Sequence, residues 1–371
     1  MRATRAVIRL DRFRSNIDAI RDFTMGAGNR PLFCLAVKAD AYGHGIVEVA
    51  RAAQASGVEY LAVATADEGM EVREAGVSLP VLLYSLANPS EMQQIVAHGL
   101  IPILSDTEQI SLYGAAARAA ERELTVHIKV DTGMGRIGCR PEEAAAVCRA
   151  VVDETDLRLG GVSTHFAGAD MADSGYTEHQ IARFGTALEA IRSAHIDPGI
   201  VHASNSGGVL GYPQAWFDMV RPGLLAYGYY PSDEQHHPIK VEPVMELVSQ
   251  VVYLKQVEAG ERISYGMTWA APRRTWIGTV PIGYGDGYNR LLSNSAEVAI
   301  NDVRYPIAGR VCMDQLMVDL GAELRVSRYD EVHLFGTPDA PDAADLAAIC
   351  DTIPYEITCA VSRRVPRIYR E

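Results

Sequence analysis

The chain has 371 residues, a length that favours two domains of unequal size and allows a large buried core. Its formal net charge of -13 argues against a duplex nucleic-acid binder, because such a protein needs a clustered basic face. The cysteines form no CxxC pair, the N-terminus has no apolar signal core, and no segment has the roughly 18 apolar residues of a membrane helix. We therefore expect reduced thiols in a soluble, cytoplasmic protein without nucleic-acid or membrane partners.

The first part of the chain alternates between strand-like and helix-like segments. The N-terminal TRAVIRL alternates in polarity and precedes a helix that we expect Asp11 to cap. Apolar runs typical of buried strands follow at LFCLAV (32–37), YLAVAT (60–65), PVLLYS (80–85), IPILS (101–105), TVHIKV (125–130), LGGVSTHF (159–166), IVHAS (200–204) and WFDMVR (216–221). Segments of helical periodicity lie between them, such as GIVEVARAAQASG, which ends at Gly57. This order predicts an α/β fold, a parallel (β/α)8 TIM-type barrel over residues 11–230. An open doubly wound sheet is the alternative, since counting strands does not prove closure.

The pattern changes after Tyr230. The segment PSDEQHHPIKVEP (231–243) is rich in proline and polar residues and is typical of a linker. Beyond it, alternating runs such as ELVSQVVYLKQV, WIGTVPIG, EVAI, QLMVDL and EVHLF are separated by turn signals, with little helical pattern. We expect a separate, mainly-β domain over residues 231–371, which the N-terminal strand 1–10 joins.

Polar side chains recur where the predicted barrel strands end. The first strand is followed by Lys38, and later strand ends hold Lys129, Asp131, His165, Asn205, Ser206 and Arg221. Any one of them alone is more often a solvated surface group. Because barrel enzymes gather their functional groups at the C-terminal strand ends, the set together predicts a ligand cavity there.

An amine at such a cavity suits a particular class of cofactor. Lysine forms an imine with an aldehyde, and pyridoxal phosphate is the commonest aldehyde cofactor held in this way. Barrels bind phosphate with the loops after strands seven and eight, which are here SNSGG (204–208) and RPGLLAYG (221–228). Their glycines permit close backbone approach, and Ser206 offers a hydroxyl.

The motif AVKADAYGHG around Lys38 resembles the cofactor-lysine motif of bacterial alanine racemases. HIKVDTGMGRIG, THFAGAD, HASNSGG, MVRPGLLAYG, ISYGMTW, PIGYGDG, GRVCMDQLMVDL and IPYEI resemble further motifs of that family in the same order along the chain. The resemblance covers essentially the whole sequence. It implies a pyridoxal-phosphate barrel, a β domain, and a homodimer in which the partner's β domain closes each active site.

The resemblance also implies a role for individual residues. Lys38 would carry the cofactor and serve as one acid/base, and Tyr265 of the second protomer would be the other. The implied cofactor-binding residues are Lys38, Tyr42, His165, Asn205, Ser206, Arg221, Gly223, Leu224 and Tyr355, with Arg221 at the pyridine nitrogen, supported by His165. Arg136 and the backbone of Met313 would hold the substrate carboxylate, while Tyr284, Asp314 and Tyr355 would line the entrance. Lys129 would be a site of carbamylation, and no metal is implied.

These roles have a physical rationale. Racemisation removes a Cα proton from one face of the cofactor-bound substrate, the aldimine, and returns one to the other, so two opposed groups are needed. Arginine cannot accept the pyridine proton, so Arg221 would limit delocalisation of charge into the ring and thereby side reactions. Without the resemblance, Tyr265 would be read as a buried aromatic, Arg136 as a surface turn residue, and Lys129 as an ordinary amine paired with Asp131.

Several functions stay open at this stage. The expected activity is interconversion of L- and D-alanine for peptidoglycan, with a broader amino-acid (serine) racemase or a catabolic alanine racemase as alternatives. A decarboxylase on a related barrel is disfavoured by the absence of a GGGF-type phosphate loop. A cofactor-carrying regulatory barrel would lack a β domain with a tyrosine like Tyr265.

Overall fold

The computed structural model describes residues 2–26 and 30–371. The chain divides into two compact units. The barrel unit comprises Arg14–Ala41 and Ile46–Val241, and the β unit comprises Met1–Phe13, Tyr42–Gly45 and Glu242–Glu371. Residues 231–241 therefore group with the barrel, and the four residues after Ala41 group with the β unit. Within the described ranges, no helix has the length and apolar character needed to cross a bilayer.

The chain begins with strand β1 (Arg5–Arg9) and helix α1 (Leu10–Met25). The expectation that Asp11 caps this helix is wrong, because the helix begins one residue earlier and Asp11 lies in its first turn. The Asp11 carboxylate instead accepts a charged hydrogen bond from Nη2 of Arg9 at 2.7 Å. Such a bond is stronger than one from a neutral backbone N–H.

The barrel unit holds parallel strands that close in sequence order. The strands are β2 (Leu32–Ala36), β3 (Tyr60–Val63), β4 (Val81–Leu83), β5 (Ile101–Leu104), β6 (Leu124–Lys129), β7 (Leu157–Ser163), β8 (Ile200–His202) and β9 (Met219–Val220). The helical segments are α2 (Lys38–Tyr42), α3 (Ile46–Ala55), α4 (Ala66–Glu74), α5 (Met92–Ala97), α6 (Thr107–Ala119), α7 (Ala144–Asp153), α8 (Gly175–Ser193) and α9 (Ser206–Gly211). Since β2 pairs with both β3 and β9, the (β/α)8 barrel is confirmed and the open sheet is excluded.

Apolar side chains pack between the barrel strands. One buried cluster contains Cys34, Ala62, Leu82, Ile101 and Met219, each from a different strand. Each barrel strand ends one to three residues before its apolar run does. The last residues of those runs therefore lie in the loops at the C-terminal ends, where ligand-binding groups are expected.

The β unit contains the remaining strands and two helices. They are β10 (Met245–Gln250), β11 (Tyr253–Val257), β12 (Arg262–Ile263), β13 (Trp269–Ala270), β14 (Thr275–Val280), β15 (Glu297–Ile300), β16 (Val303–Pro306), β17 (Leu316–Gly321), β18 (Glu331–Phe335), α10 (Ala343–Cys350), α11 (Pro354–Ala360) and β19 (Arg367–Arg370). One sheet has the order β16-β15-β18-β10-β1-β19, a second has the order β11-β14-β17, and β12 pairs with β13. The mainly-β architecture is confirmed.

Two features of the β unit are not apparent in the sequence pattern. The N-terminal β1 pairs antiparallel with β10 and parallel with the final strand β19. Helices α10 and α11 interrupt a region that showed little helical periodicity. Helix α10 begins at a capping box in which the Asp342 side chain accepts from the N–H of Asp345 and the Asp345 side chain accepts from the N–H of Asp342.

Candidate active site

Lys38 begins a left-handed turn immediately after β2. Ala39, Asp40, Ala41 and Tyr42 have φ values of 52, 55, 52 and 53°. None of these is glycine, and left-handed helical backbone costs an L-residue roughly 1–2 kcal/mol. The turn therefore requires contacts that hold it against its own conformational preference.

Two carboxylates on the barrel unit supply those contacts. Oε1 of Glu68 accepts the N–H of Ala39 at 2.7 Å, while its Oε2 accepts the N–H of Ala64 at 2.7 Å. Oδ1 of Asp40 accepts the N–H of Ile46, the first residue of α3, at 2.8 Å. The turn is thus tied to the start of two helices, which defines the backbone position from which Lys38 projects.

Arg221 lies just after β9 and is 6% exposed. Its Nη1 donates to Nδ1 of His202 at 2.9 Å. Its Nη2 contacts Nδ1 of His165 at 3.2 Å and donates to the carbonyls of Thr164 and Ala203, both at 2.9 Å. Because so many acceptors converge on it, the guanidinium has one well-defined orientation in the barrel.

Positive charge concentrates around His165. Burial lowers the pKa of His165 well below its usual value, and the charges of Lys129, Arg221, Arg136 and Lys38 lower it further. These four basic side chains thus lie close enough to act on one imidazole, although the chain as a whole carries a net charge of -13. A strand-end region of this sign suits anionic ligand groups such as phosphate and carboxylate.

Lys129 and Arg136 lie at the two ends of a braced loop after β6. The Asp131 carboxylate accepts the N–H groups of Gly133 and Gly135, both at 3.0 Å. Lys129 is buried; burial and the charges of Arg221 and Arg136 lower the pKa of its amine, while the charge of Asp131 raises it. The reading of Lys129 as an amine paired with Asp131 stays a prediction. The loop amides hold the Asp131 carboxylate, and Arg136 is exposed on the same loop.

The two loops expected to hold phosphate contact each other. Oγ of Ser206 accepts the N–H of Gly223 at 3.1 Å and that of Leu225 at 3.4 Å. The Asn205 side chain caps the short helix α9 by accepting the N–H of Gly208 at 3.0 Å. Leu224 starts a 3₁₀ turn directly after Gly223. Ser206 thus joins the two loops by hydrogen bonds, and Asn205 and Leu224 are the chain neighbours of Ser206 and Gly223.

In the β unit, Tyr265 occupies an exposed and strained loop. Its side chain is 72% exposed. The residue before it, Ser264, has φ 67° and ψ 178°, a region that is essentially reserved for glycine. Oγ of Ser264 donates to the carbonyl of Arg310 at 2.7 Å, which anchors the loop.

Tyr284, Met313 and Asp314 come from two loops of the β unit that are hydrogen-bonded together. The N–H of Tyr284 donates to the carbonyl of Cys312 at 3.0 Å, and that of Gly285 donates to the carbonyl of Met313 at 2.9 Å. The Asp314 carboxylate accepts from Nη2 of Arg364 at 2.7 Å. The side chains of Tyr284 and Met313 are largely exposed.

Tyr42 and Tyr355 contact each other in the β unit. Their ring centroids are 5.4 Å apart with a tilt of 44°. Tyr355 lies in the first turn of α11, and the following carbonyl of Gly43 accepts from Arg367 at 2.9 and 3.1 Å. Residues 42–45 are therefore tied to the C-terminal segment.

Sequence reasoning did not identify His202 and His127 as site residues. His202 is fully buried and contacts Arg221, and its Nε2 lies 2.8 Å from Nδ1 of His127. A signal was available, because Thr125, His127 and Lys129 place a polar side chain at every second position of a buried strand.

The barrel residues fit pyridoxal phosphate. The cofactor needs a lysine, a cluster of phosphate donors and a group at its pyridine nitrogen. Lys38 on a clamped turn, the Ser206–Gly223 loops and the fixed Arg221 offer these chemical functions at the same end of the strands. No acidic side chain hydrogen-bonds to Arg221 among the described residues.

Comparison with known proteins gives a consistent result over the whole chain. The family model described as "Alanine racemase, N-terminal domain" matches residues 8–231, and "Alanine racemase, C-terminal domain" matches residues 244–369. An alanine racemase of Treponema denticola is 45% identical over 100% of this chain and 98% of its own length. The solved alanine racemase of Clostridium difficile 630 superposes with a TM-score of 0.95 at 35% identity, covering 100% of this chain and 96% of that one. A biosynthetic alanine racemase from Pseudomonas aeruginosa has a TM-score of 0.88 at 32% identity, with 100% of both chains covered.

Proposed function

Because the chain belongs to the alanine racemase family, and is therefore an isomerase acting on L- and D-alanine, we propose that it does so with pyridoxal phosphate and two acid/base residues. The observation that carries the proposal is the buried Arg221, held by converging acceptors at the same strand ends as the Lys38 turn. When bound, pyridoxal phosphate supplies an electron-withdrawing ring that makes the Cα proton of alanine acidic.

Lys38 and Tyr265 take the two acid/base roles. Lys38 would hold the cofactor through its amine until the amino group of alanine displaces it, and the released amine would then take a proton from, or return one to, one face of the substrate Cα. Tyr265 of the partner subunit would do the opposite on the other face. The 72% exposure of Tyr265 in this chain supports its use by a second copy. The functional unit in this proposal is a homodimer with shared sites.

The remaining residues bind and orient. The phosphate would be held by Ser206, Gly223, Leu224, Tyr42 and Tyr355, and Asn205 would be a further cofactor-binding residue. Arg221 would face the pyridine nitrogen, supported by His165. Arg221 donates hydrogen bonds and cannot take up a proton, so it leaves the pyridine nitrogen unprotonated. Arg136 and the Met313 backbone hold the alanine carboxylate, and Tyr284, Asp314 and Tyr355 narrow the entrance.

We assign the reaction a biosynthetic direction, the supply of D-alanine for peptidoglycan. The similarity to an enzyme described as biosynthetic supports this direction over catabolism. A D-alanine requirement after gene deletion would agree with it, whereas growth without D-alanine and loss of growth on alanine as a carbon source would favour catabolism.

The cofactor role of Lys38 is tested by reduction and peptide mapping. The purified protein with pyridoxal phosphate should be yellow, and borohydride should fix the cofactor on the peptide that contains Lys38. Fixation on Lys129, Lys240 or Lys255 would contradict the proposal. Chiral analysis of products from L-alanine and L-serine then measures the breadth of the activity, because serine is only one hydroxyl larger.

A further inference from the structure

A chain of buried hydrogen bonds extends from Arg221 into the barrel interior. Nη1 of Arg221 donates to Nδ1 of His202 at 2.9 Å, and Nε2 of His202 lies 2.8 Å from Nδ1 of His127. Both histidines are nearly or fully buried, at 0% for His202 and 1% for His127. Of these three residues, Arg221 is the one at the strand ends where the cofactor is proposed to bind.

The chemistry of arginine determines where every proton in the chain lies. A guanidinium only donates, so Nδ1 of His202 must accept and the proton of His202 must be on Nε2. That proton points to Nδ1 of His127, which must accept it, and the proton of His127 is therefore on Nε2. Burial, together with the charges of Arg221 and Arg158, lowers the pKa of His127 to about 3, so this imidazole is neutral near pH 7 and its Nδ1 is free to accept.

The neighbouring strand is shaped around His127. A Cβ on Gly161 would lie 2.6 Å from Cε1 of His127, and one on Gly160 would lie 3.2 Å from its Cδ2. The pairing of β6 with β7 shifts register between Val126 and His127, which leaves Gly160 as the extra residue. The two consecutive glycines at this bulge leave room for the His127 imidazole. They also leave room for the Thr125 methyl group, 2.3 Å from a Cβ on Gly160, and for the Ile200 carbonyl oxygen, 2.4 Å from a Cβ on Gly161.

We propose that His127 is a positioning residue for Arg221: it accepts the Nε2 proton of His202, holds His202 in the one tautomer that can accept from Arg221, and so keeps the guanidinium directed at the cofactor position. Without an acceptor at Nδ1 of His127, His202 has a buried, unsatisfied N–H in the tautomer that Arg221 requires. The alternative tautomer of His202 presents an N–H to the guanidinium and so leaves Arg221 without this acceptor; its Nε2 is satisfied only if His127 also moves its proton to Nδ1. The inference rests on the proposed role of Arg221, but the tautomer can be measured without any turnover.

Nitrogen NMR of the full-length protein labelled with ¹⁵N-histidine tests the proton positions directly. With and without pyridoxal phosphate, we expect His202 to show an accepting Nδ1 and a protonated Nε2, identified by the signal that is missing from a His202→Asn variant. A proton on Nδ1 of His202, or two exchanging tautomers, overturns the proposal. A wild type that shows the expected tautomer but no racemisation would refute the proposed function and leave the hydrogen-bond chain intact.

A pair of variants separates positioning from simple packing. His127→Asn keeps an acceptor near the Nδ1 position, whereas His127→Leu fills the space without one. We expect His127→Leu to lower kcat about tenfold with little change in the KM for alanine, the size typical of losing an outer partner of a ligand-binding group. In His127→Leu, His202 should then populate both tautomers. The kcat of His127→Asn should stay within about threefold of the wild-type value.

The proposal would be overturned if His127→Leu and His127→Asn lowered kcat equally and left the nitrogen spectrum of His202 unchanged. The surface variant His98→Asn is the matched control, because Nδ1 of His98 also makes a hydrogen bond, with the carbonyl of Gln94 at 2.9 Å, but outside the buried hydrogen-bond series. If His127→Leu does not fold, the measurement of the His202 tautomer in the wild type still tests the proposal.

Discussion

The barrel half of the candidate site and the β-unit half are built differently. In the barrel, Arg221 is 6% exposed and donates to His202 and to two backbone carbonyls, and Lys38 follows a strand on a clamped turn. In the β unit, Tyr265 is 72% exposed and Met313 is 52% exposed. Exposed aromatic and apolar side chains of this kind are common at surfaces that another chain covers.

This difference in exposure suggests different roles for the barrel residues and the β-unit residues. In the proposed site the barrel groups hold a charged cofactor in one orientation, a task that suits buried polar contacts made within one chain. The β-unit groups have their backbone fixed by local hydrogen bonds while their side chains remain exposed. This comparison supports a site in which the first half is preorganised and the second is supplied to a partner.

The largest expected effect tests whether the two halves come from different chains. Lys38→Ala and Tyr265→Phe should each lower racemisation by roughly 10²–10⁴-fold, because each removes one acid/base group. In a mixed dimer one site lacks both groups and the other is intact. Random mixing makes about half of the dimers mixed, so co-refolding equal amounts should recover roughly a quarter of wild-type activity.

The control for this experiment is refolding each variant with itself, which should recover nothing. Subunit exchange is verified with a mass tag on one variant. Activity that stays at the level of the separate variants despite exchange would show that each site is built within one chain.

A smaller effect is expected at Lys129, within the barrel half. Burial, with the charges of Arg221 and Arg136, lowers the pKa of this amine well below its usual value. More of the amine is therefore neutral near pH 7, the form that reacts with carbon dioxide to give a carbamate, and acidification should reverse the modification. We expect Lys129→Ala to raise the KM for alanine about tenfold, with partial rescue by acetate, because Arg136 loses an acceptor.

Labelled bicarbonate provides the readout for Lys129. A carbamate carbon signal should be present in the wild type and in the control Lys255→Ala, whose lysine is exposed on β11, and absent from Lys129→Ala. A wild-type spectrum without the signal, or a signal that persists in Lys129→Ala, would rule out the modification.

Much of the barrel could be predicted from the sequence because its strands are buried on both faces and their apolar runs are therefore continuous. The same apolar runs also located the polar residues at the strand ends, including Lys38 and Arg221. The left-handed turn did not, because Ala39 and Ala41 have no intrinsic preference for positive φ and the turn depends on the distant Glu68.

Other features were missed because they depend on long-range pairing. The inclusion of residues 42–45 in the β unit depends on contacts with the C-terminal segment, such as those between Gly43 and Arg367. The roles of His127 and His202 depend on one hydrogen bond across the barrel. The roles of Tyr265 and Arg136 came from family resemblance, since no local pattern identifies either residue.

The smallest effect is expected at Ser264, the strained residue beside Tyr265, where stability and activity should separate. Ser264→Ala keeps the strain and loses the hydrogen bond to Arg310, so the free energy of unfolding should fall by about 1 kcal/mol. Ser264→Gly loses the same bond but also relieves strain of roughly 1–3 kcal/mol, so its stability should equal or exceed that of the alanine variant. Its freer backbone no longer orients Tyr265, so its kcat should be the lower of the two by a few-fold, on the order of 1 kcal/mol. Urea unfolding and racemisation assays check this crossover, with Ser232→Ala on the barrel unit as a control. If the same variant of Ser264 had both the lower free energy of unfolding and the lower kcat, the strain would have no role in orienting Tyr265.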